Sequence, residues 1–303
     1  MKYYYKIYGL ILESDYEFHQ FVSIEKDSAI SPDIKITYGG ILSKILDHVA
    51  QKHYMGYGEH DVWFNNQVGT FWIHDRCEIN FVENEHCSID DAALFLPGLC
   101  LSILLWYRGD IMLHGACLYY NDKTIVISGN SGAGKSTLTT ELIKHGAKLL
   151  ADDVTCIRQE NDIFLSHPAF PFQKLCADQI DKNGLDKNSL RQIEYDLNKY
   201  EVGREDVFCS EMRKVDVFYR VEIQDVGNLV MEEVVGGEKL KTVVNSIFIK
   251  WIFNEMFKLT PKDFLRCTGF ANQIQMYKIV RPRGLDTLKN IVDYINETLK
   301  GDL

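Results

Sequence analysis

Eight consecutive residues, Gly129, Asn130, Ser131, Gly132, Ala133, Gly134, Lys135 and Ser136, followed by Thr137, have the spacing G-x-x-x-x-G-K-[ST] of a phosphate-binding loop. The glycines let successive backbone N–H groups turn toward one centre. Lys135 is then placed to reach the β- and γ-phosphates of a nucleotide, and the Ser136 hydroxyl to ligate Mg²⁺. The flanks agree. Residues 123–128 form a short β-branched run ending at the first glycine, and residues 137–145 carry Leu138, Leu142 and Ile143 at helical spacing before Gly146. A helix starting at the loop adds the partial positive charge of its N-terminus to the anion site.

Two further groups could do chemistry beside that loop. Residues 147–154 read as an apolar strand ending in Asp152 and Asp153, and neighbouring residues on a strand face opposite ways, so the two carboxylates should take different tasks. One suits the waters of a metal held by Ser136, the other an incoming nucleophile. Upstream, His114 and Gly115 interrupt the hydrophobic strand 110–120, a pattern that suggests close backbone approach and an internal polar contact. Taken alone, His114 reads as a satisfied core histidine and the aspartate pair as a solvated turn.

In this order and at these separations, the strand with His114 and Gly115, the P-loop strand, the P-loop and the Asp152–Asp153 pair resemble the catalytic domain of the HPr kinase/phosphorylase family. The resemblance spans about residues 110–155 and implies an α/β fold: a P-loop HPr kinase-like catalytic domain with an N-terminal β-rich domain. It implies that Lys135 and Ser136 hold phosphate and Mg²⁺, that Asp152 is the base for the acceptor hydroxyl, that His114 supports Asp152, and that Asp153 sits in the outer shell of the metal. Thr137 stands where that family has Glu, and its signature for protein docking and phosphorolysis is not recognisable after Asp153. In layout, residues 5–14 and 105–110 resemble HPr-kinase-related proteins found with ribosomally made, modified peptides, among them the lasso-peptide kinases. That resemblance implies a peptide as acceptor.

The elements around these groups divide the chain into a β-rich N-terminal domain, 1–87, and a catalytic domain, 88–303. The first alternates aromatic and β-branched positions with turns at 31–33, 39–40 and 65–66. His74, Cys77, His86 and Cys87 could be drawn as a zinc site, but the alternation in 70–73 and 78–82 reads as paired strands. Residues 92–107 form a buried helix capped by Ser88 or Asp90, shorter than a bilayer span. Beyond Asp153, residues 161–186 read as a loop and the polar run 187–206 as a lid-like segment. Strands follow at 208–222 and 228–235. A helix over 239–259 places Val243, Val244, Ile247, Phe248, Trp251, Ile252 and Met256 on a core face. Residues 273–280 read as a strand and 284–300 as a closing amphipathic helix. Either Arg281 or Arg283, between the last strand and helix, could touch a triphosphate. Residues 167–174, rigid and aromatic, could face an acceptor.

With 303 residues, 46% of them hydrophobic, the chain can bury a large core. Its net charge of −10 argues against nucleic acid and anionic membranes as partners. Eight scattered cysteines and the lack of a leader read as a reduced, cytoplasmic protein. The expected activity is transfer of the γ-phosphoryl group of Mg-ATP to a Ser or Thr hydroxyl of a peptide or protein, with homo-oligomerisation left open. The rival readings are a small-molecule kinase, a phosphoenolpyruvate carboxykinase, and a non-catalytic ATP-binding protein that recognises peptides.

Overall fold

The structure, a computed structural model, describes residues 1–26, 31–59, 61–194, 198–252 and 258–301. These residues form two compact units, Met1–Asp110 and Ile111–Leu303.

The first unit is an eight-stranded sheet in the order β3-β1-β2-β4-β8-β7-β6-β5. Its strands are β1 (Tyr3–Ile7), β2 (Leu10–Ser14), β3 (Val22–Ser23), β4 (Ile34–Tyr38), β5 (Met55–Tyr57), β6 (Val62–Asn65), β7 (Gly69–His74) and β8 (Glu78–Glu83). Helices are α1 (Ser43–Ala50), α2 (Ile89–Ala93) and α3 (Leu101–Arg108). β7 and β8 pair antiparallel, and both ring nitrogens of His74 are engaged, with Asp75 Oδ2 at 2.6 Å and Asn80 Oδ1 at 2.8 Å.

The expected helix over 92–107 is broken into α2 and α3 by a π-turn at Leu96–Cys100, where Pro97 removes a backbone donor. Ser88 and not Asp90 caps it, through a capping box with Asp91. This helical stretch packs on β8 and β7, and the two compact units divide after Asp110. Taken whole, Ile89–Arg108 is long and apolar enough to cross a bilayer by length and composition, longer than the apolar run alone suggested. Of its most apolar window, 61% is buried inside the protein.

The second unit is built on a nine-stranded sheet. Its strands are β9 (Ile111–Tyr120), β10 (Lys123–Gly129), β11 (Lys148–Ala151), β12 (Val154–Glu160), β13 (Ile163–His167), β17 (Arg213–Lys214), β18 (Val217–Gln224), β19 (Val230–Glu233) and β20 (Gln275–Pro282). The path runs β17-β13-β12-β9-β10-β18-β20-β19, with β11 also on β9. β10, β18 and β20 are parallel, and the continuously buried runs at 124–129 of β10 and 217–221 of β18 suit strands covered on both faces. On one face Ile125, Ile127, Tyr219, Val221 and Ile279 pack with Leu138 and Leu142 of α4 (Lys135–Lys144) and Ile291 and Ile295 of α9 (Leu288–Lys300).

Two expectations fail here for tertiary reasons, and one helix was not anticipated. Residues 161–206 are not a loop and lid. They contribute β13, then a separate sheet, β14-β16-β15, from β14 (Phe172–Cys176), β15 (Arg191–Glu194) and β16 (Lys199–Gly203), with α5 (Ala177–Lys182) beside it. Pro168 and Pro171 lie between β13 and β14, where a missing N–H is harmless. The helix over 239–259 is two pieces, α6 (Gly237–Asn245) and α7 (Phe248–Ile252), separated at Ser246 and Ile247. Met256 lies outside the described residues, as do the side chains of Trp251 and Ile252. Finally α8 (Pro261–Gln273) was not anticipated, although Thr260 and Asp263 form a capping box with Pro261 at the first position.

Candidate active site

The loop after β10 turns at Gly132, φ 77°, and Gly134, φ 95°, conformations that side-chain-bearing residues rarely adopt. Helix α4 begins directly at Lys135, two residues earlier than the spacing of leucines suggested, and its N-terminus has no side-chain cap. The N–H groups of its first turn therefore remain available to an anion. Asn130 O accepts from the Ala133 N–H at 3.1 Å, which closes the loop on itself, and the Ala133 side chain is buried in the core. Arg281 donates through Nη1 to Ala133 O at 3.1 Å, while Arg283 turns away to Asp225. Uncapped donors, Lys135 and a guanidinium on the loop form a donor set that fits a polyphosphate.

Lys135 Nζ donates to Gly129 O at 2.8 Å and Asn130 O at 3.2 Å, and it lies 3.1 Å from His114 Nε2. An ammonium can only donate, so Nε2 is the acceptor and the imidazole proton sits on Nδ1. That atom is 3.6 Å from Asp153 Oδ1. Burial, and then the Lys135 charge, lowers the pKa of His114 to about 4 despite the pull of Asp153, so the ring is neutral. Lys135 is itself lowered to about 8, because burial outweighs the attraction of Asp153 and Asp152. His114 thus lies beside Asp153, whereas the resemblance implied a role in supporting Asp152. Gly115 makes this possible: a Cβ there would stand 2.5 Å from Ile127 O of the neighbouring β10.

Asp152 and Asp153 do not sit within a strand. They occupy the turn between β11 and β12, with Asp153 at φ 65°. The two carboxylates are separated by this turn and not by strand alternation. The Asp153 carbonyl accepts from Gly115 N–H at 2.9 Å, which ties the turn to β9. Asp152 Oδ2 accepts the backbone N–H of Lys174 at 2.8 Å, and Asp153 Oδ2 pairs with Lys174 Nζ at 3.1 Å. Burial, then the like charge of Asp153, pushes Asp152 up to about 6. Burial also raises Asp153, but Lys174 and then His114 outweigh it and hold it at about 2. One carboxylate is a firm anion and the other a group poised to take a proton near neutral pH.

Sequence reasoning passed over two residues of this cluster. Lys174 ends the aromatic segment 167–174, but only the pairing of β14 with β16 shows where it goes. Arg220, a lone cation in an apolar strand, was the legible signal of the other. It is nearly buried, donating to Asn130 Oδ1 at 2.7 Å, Ser128 Oγ at 3.3 Å and Ser246 Oγ at 3.2 Å.

The HPr Serine kinase C-terminal domain family matches residues 108–174, the interval from the last residue of α3 to Lys174. Over this interval the chain is similar to HPr kinases. An HPr kinase/phosphorylase of Listeria welshimeri is 43% identical over 61 residues, 20% of this chain and 20% of its own. That of Azoarcus sp. strain BH72 is 34% identical over 91 residues, 27% of this chain and 29% of its own. That of Clostridium kluyveri is 26% identical over 165 residues, 50% and 52% of the two chains. The chain therefore spans from a fifth to about half the length of these relatives. The HPr(Ser) kinase/phosphatase from Coxiella burnetii aligns over 63% of this chain and 99% of its own, with 14% identity and a TM-score of 0.33.

Proposed function

We propose that the protein is an ATP-dependent kinase that phosphorylates a Ser or Thr hydroxyl of a peptide or protein. The observation that carries this reading is the convergence of three separated motifs: Lys135 of the loop touches His114, and His114 faces Asp153 beside Asp152. Mg-ATP would supply the transferable phosphoryl group, with Ser136 as metal ligand and Asp153 holding the metal's outer waters. Residues 129–137 bind the phosphates, and Lys135 stays on the γ-phosphoryl oxygens as their charge redistributes. Asp152 takes the proton of the acceptor hydroxyl as that oxygen bonds to the γ-phosphorus. The β,γ-bridging bond breaks and its electron pair leaves with ADP. His114, neutral with its proton on Nδ1, faces the Asp153 carboxylate across 3.6 Å and would steady its charge.

A peptide acceptor rests on the layout shared with peptide-tailoring kinases and on the N-terminal unit, whose open sheet edges at β3 and β5 offer main-chain pairing to an extended chain. The test is labelled ATP with the full chain, comparing peptides encoded beside the gene with free serine. Phosphate located on a peptide hydroxyl is the expected result. Efficient turnover of free serine with none of any peptide would replace it with a small-molecule kinase.

A further inference from the structure

Lys174 touches both aspartates, and it does so with two different groups. Its backbone N–H holds Asp152 Oδ2 at 2.8 Å, and its ammonium holds Asp153 Oδ2 at 3.1 Å. The strand that carries it is anchored to the phosphate-binding helix. The preceding residue, Gln173, is fully buried, and its Oε1 accepts from Thr140 of α4 at 3.3 Å and from Nε and Nη2 of Arg204 at 3.0 and 2.8 Å. Arg204 closes the arrangement by donating its own backbone N–H to Pro171 O at 2.8 Å. A register is thereby imposed: α4 fixes Gln173, Gln173 fixes β14, and β14 presents Lys174 to the turn at Asp152 and Asp153.

We propose that Lys174 is a positioning residue for this site, clamping the two carboxylates in a fixed mutual orientation so that Asp153 is aimed at His114 while Asp152 is left toward the acceptor. The inference rests on the kinase reading above. It adds a residue from a separate small sheet whose geometry the loop, the histidine and the aspartates do not by themselves supply. Without the ammonium, two carboxylates on adjacent residues of one turn lose the tie that separates them. Asp153, at φ 65°, then keeps the 3.6 Å contact with His114 and the longer-range attraction of Lys199, but loses its ion pair with Lys174. The backbone N–H contact to Asp152 does not depend on the side chain, so a side-chain substitution perturbs one half of the clamp and spares the other.

The experiment compares Lys174→Met and Lys174→Arg with the unaltered chain. For Lys174→Met, kcat for phosphoryl transfer is expected to fall by about 10²-fold, the usual consequence of a displacement near 1 Å at a reacting group. KM for ATP should stay within about threefold, since the phosphate-binding loop is untouched. Lys174→Arg, which keeps a cation at nearly the same reach, should recover most of kcat. A crystal structure of Lys174→Met should show the Asp153 carboxylate moved from its place beside His114. The inference is overturned by a kcat within about twofold of the parent, by a loss confined to KM, or by an Asp153 that has not moved. Failure of the kinase reading looks different: the unaltered chain would show no transfer that Lys135→Ala abolishes, and the position of Asp153 in the Lys174→Met crystal would still decide the clamp.

Discussion

Gly115→Ala tests how tightly the fold sets this site. Gly115 lies in β9 opposite Ser128 of β10, and an added Cβ would sit 2.5 Å from Ile127 O, 3.1 Å from Ile127 C and 3.2 Å from Ser128 Cα. All three are backbone atoms in a hydrogen-bonded ladder, so no side chain can swing aside. Relaxing the closest pair to an ordinary separation of about 3.5 Å requires β9 and β10 to part by about 1 Å. Overpacking of this kind costs about 2 kcal/mol, which in a unit of this size lowers the melting temperature by about 6 °C. The same movement separates His114, on β9, from Lys135, at the end of the β10 loop, and a shift near 1 Å costs about 10²-fold in turnover. The measurements are a thermal melt and transfer from labelled ATP. Gly237→Ala is the control, because a Cβ at that first residue of α6 meets nothing within 4 Å and the helix gains propensity. If Gly115→Ala melts within about 1 °C of the parent and keeps its turnover, the argument that close strand approach sets the site is wrong.

Lys135→Ala removes the cation that bridges Gly129 O, Asn130 O and His114, and should abolish nearly all transfer while the circular dichroism spectrum stays unchanged. Asp152→Asn should lower kcat by about 10²-fold or more with nucleotide affinity, read by calorimetry, within a few-fold. His114→Ala should do the same less severely, and unchanged turnover in Asp152→Asn would promote Asp153 to the base. Thr260→Ala breaks the capping box of α8, and should cost about 1 kcal/mol by denaturant titration without altering kcat.

The phosphate loop was legible because its chemistry is local. Glycine at φ above zero, a lysine and a hydroxyl within nine residues carry their own geometry, and strand, loop and helix follow in the order the periodicities announce. The closeness of β9 and β10 at Gly115 was legible for the same reason, since only a missing Cβ allows it. The assignment of His114 to Asp153 was not. It depends on the left-handed turn at Asp153, which breaks the strand alternation from which opposite-facing carboxylates were inferred.

The sheet β14-β16-β15 was hidden because Pro168 and Pro171 just ahead of β14 read as a loop, and because its strands are only four or five residues long and largely polar. They become strands only by pairing with one another over Leu175, Ile180 and Val202. Helix α8 differs, since its start signal, the capping box of Thr260 and Asp263 with Pro261 at the first position, is present in the residues themselves. What the sequence by itself determined is the set of groups that could hold a phosphate, since backbone freedom and functional groups are properties of residue types. Which carboxylate is a settled anion and which is poised for a proton was decided by tertiary structure alone, because burial and the reach of Lys174 arise only when distant strands meet.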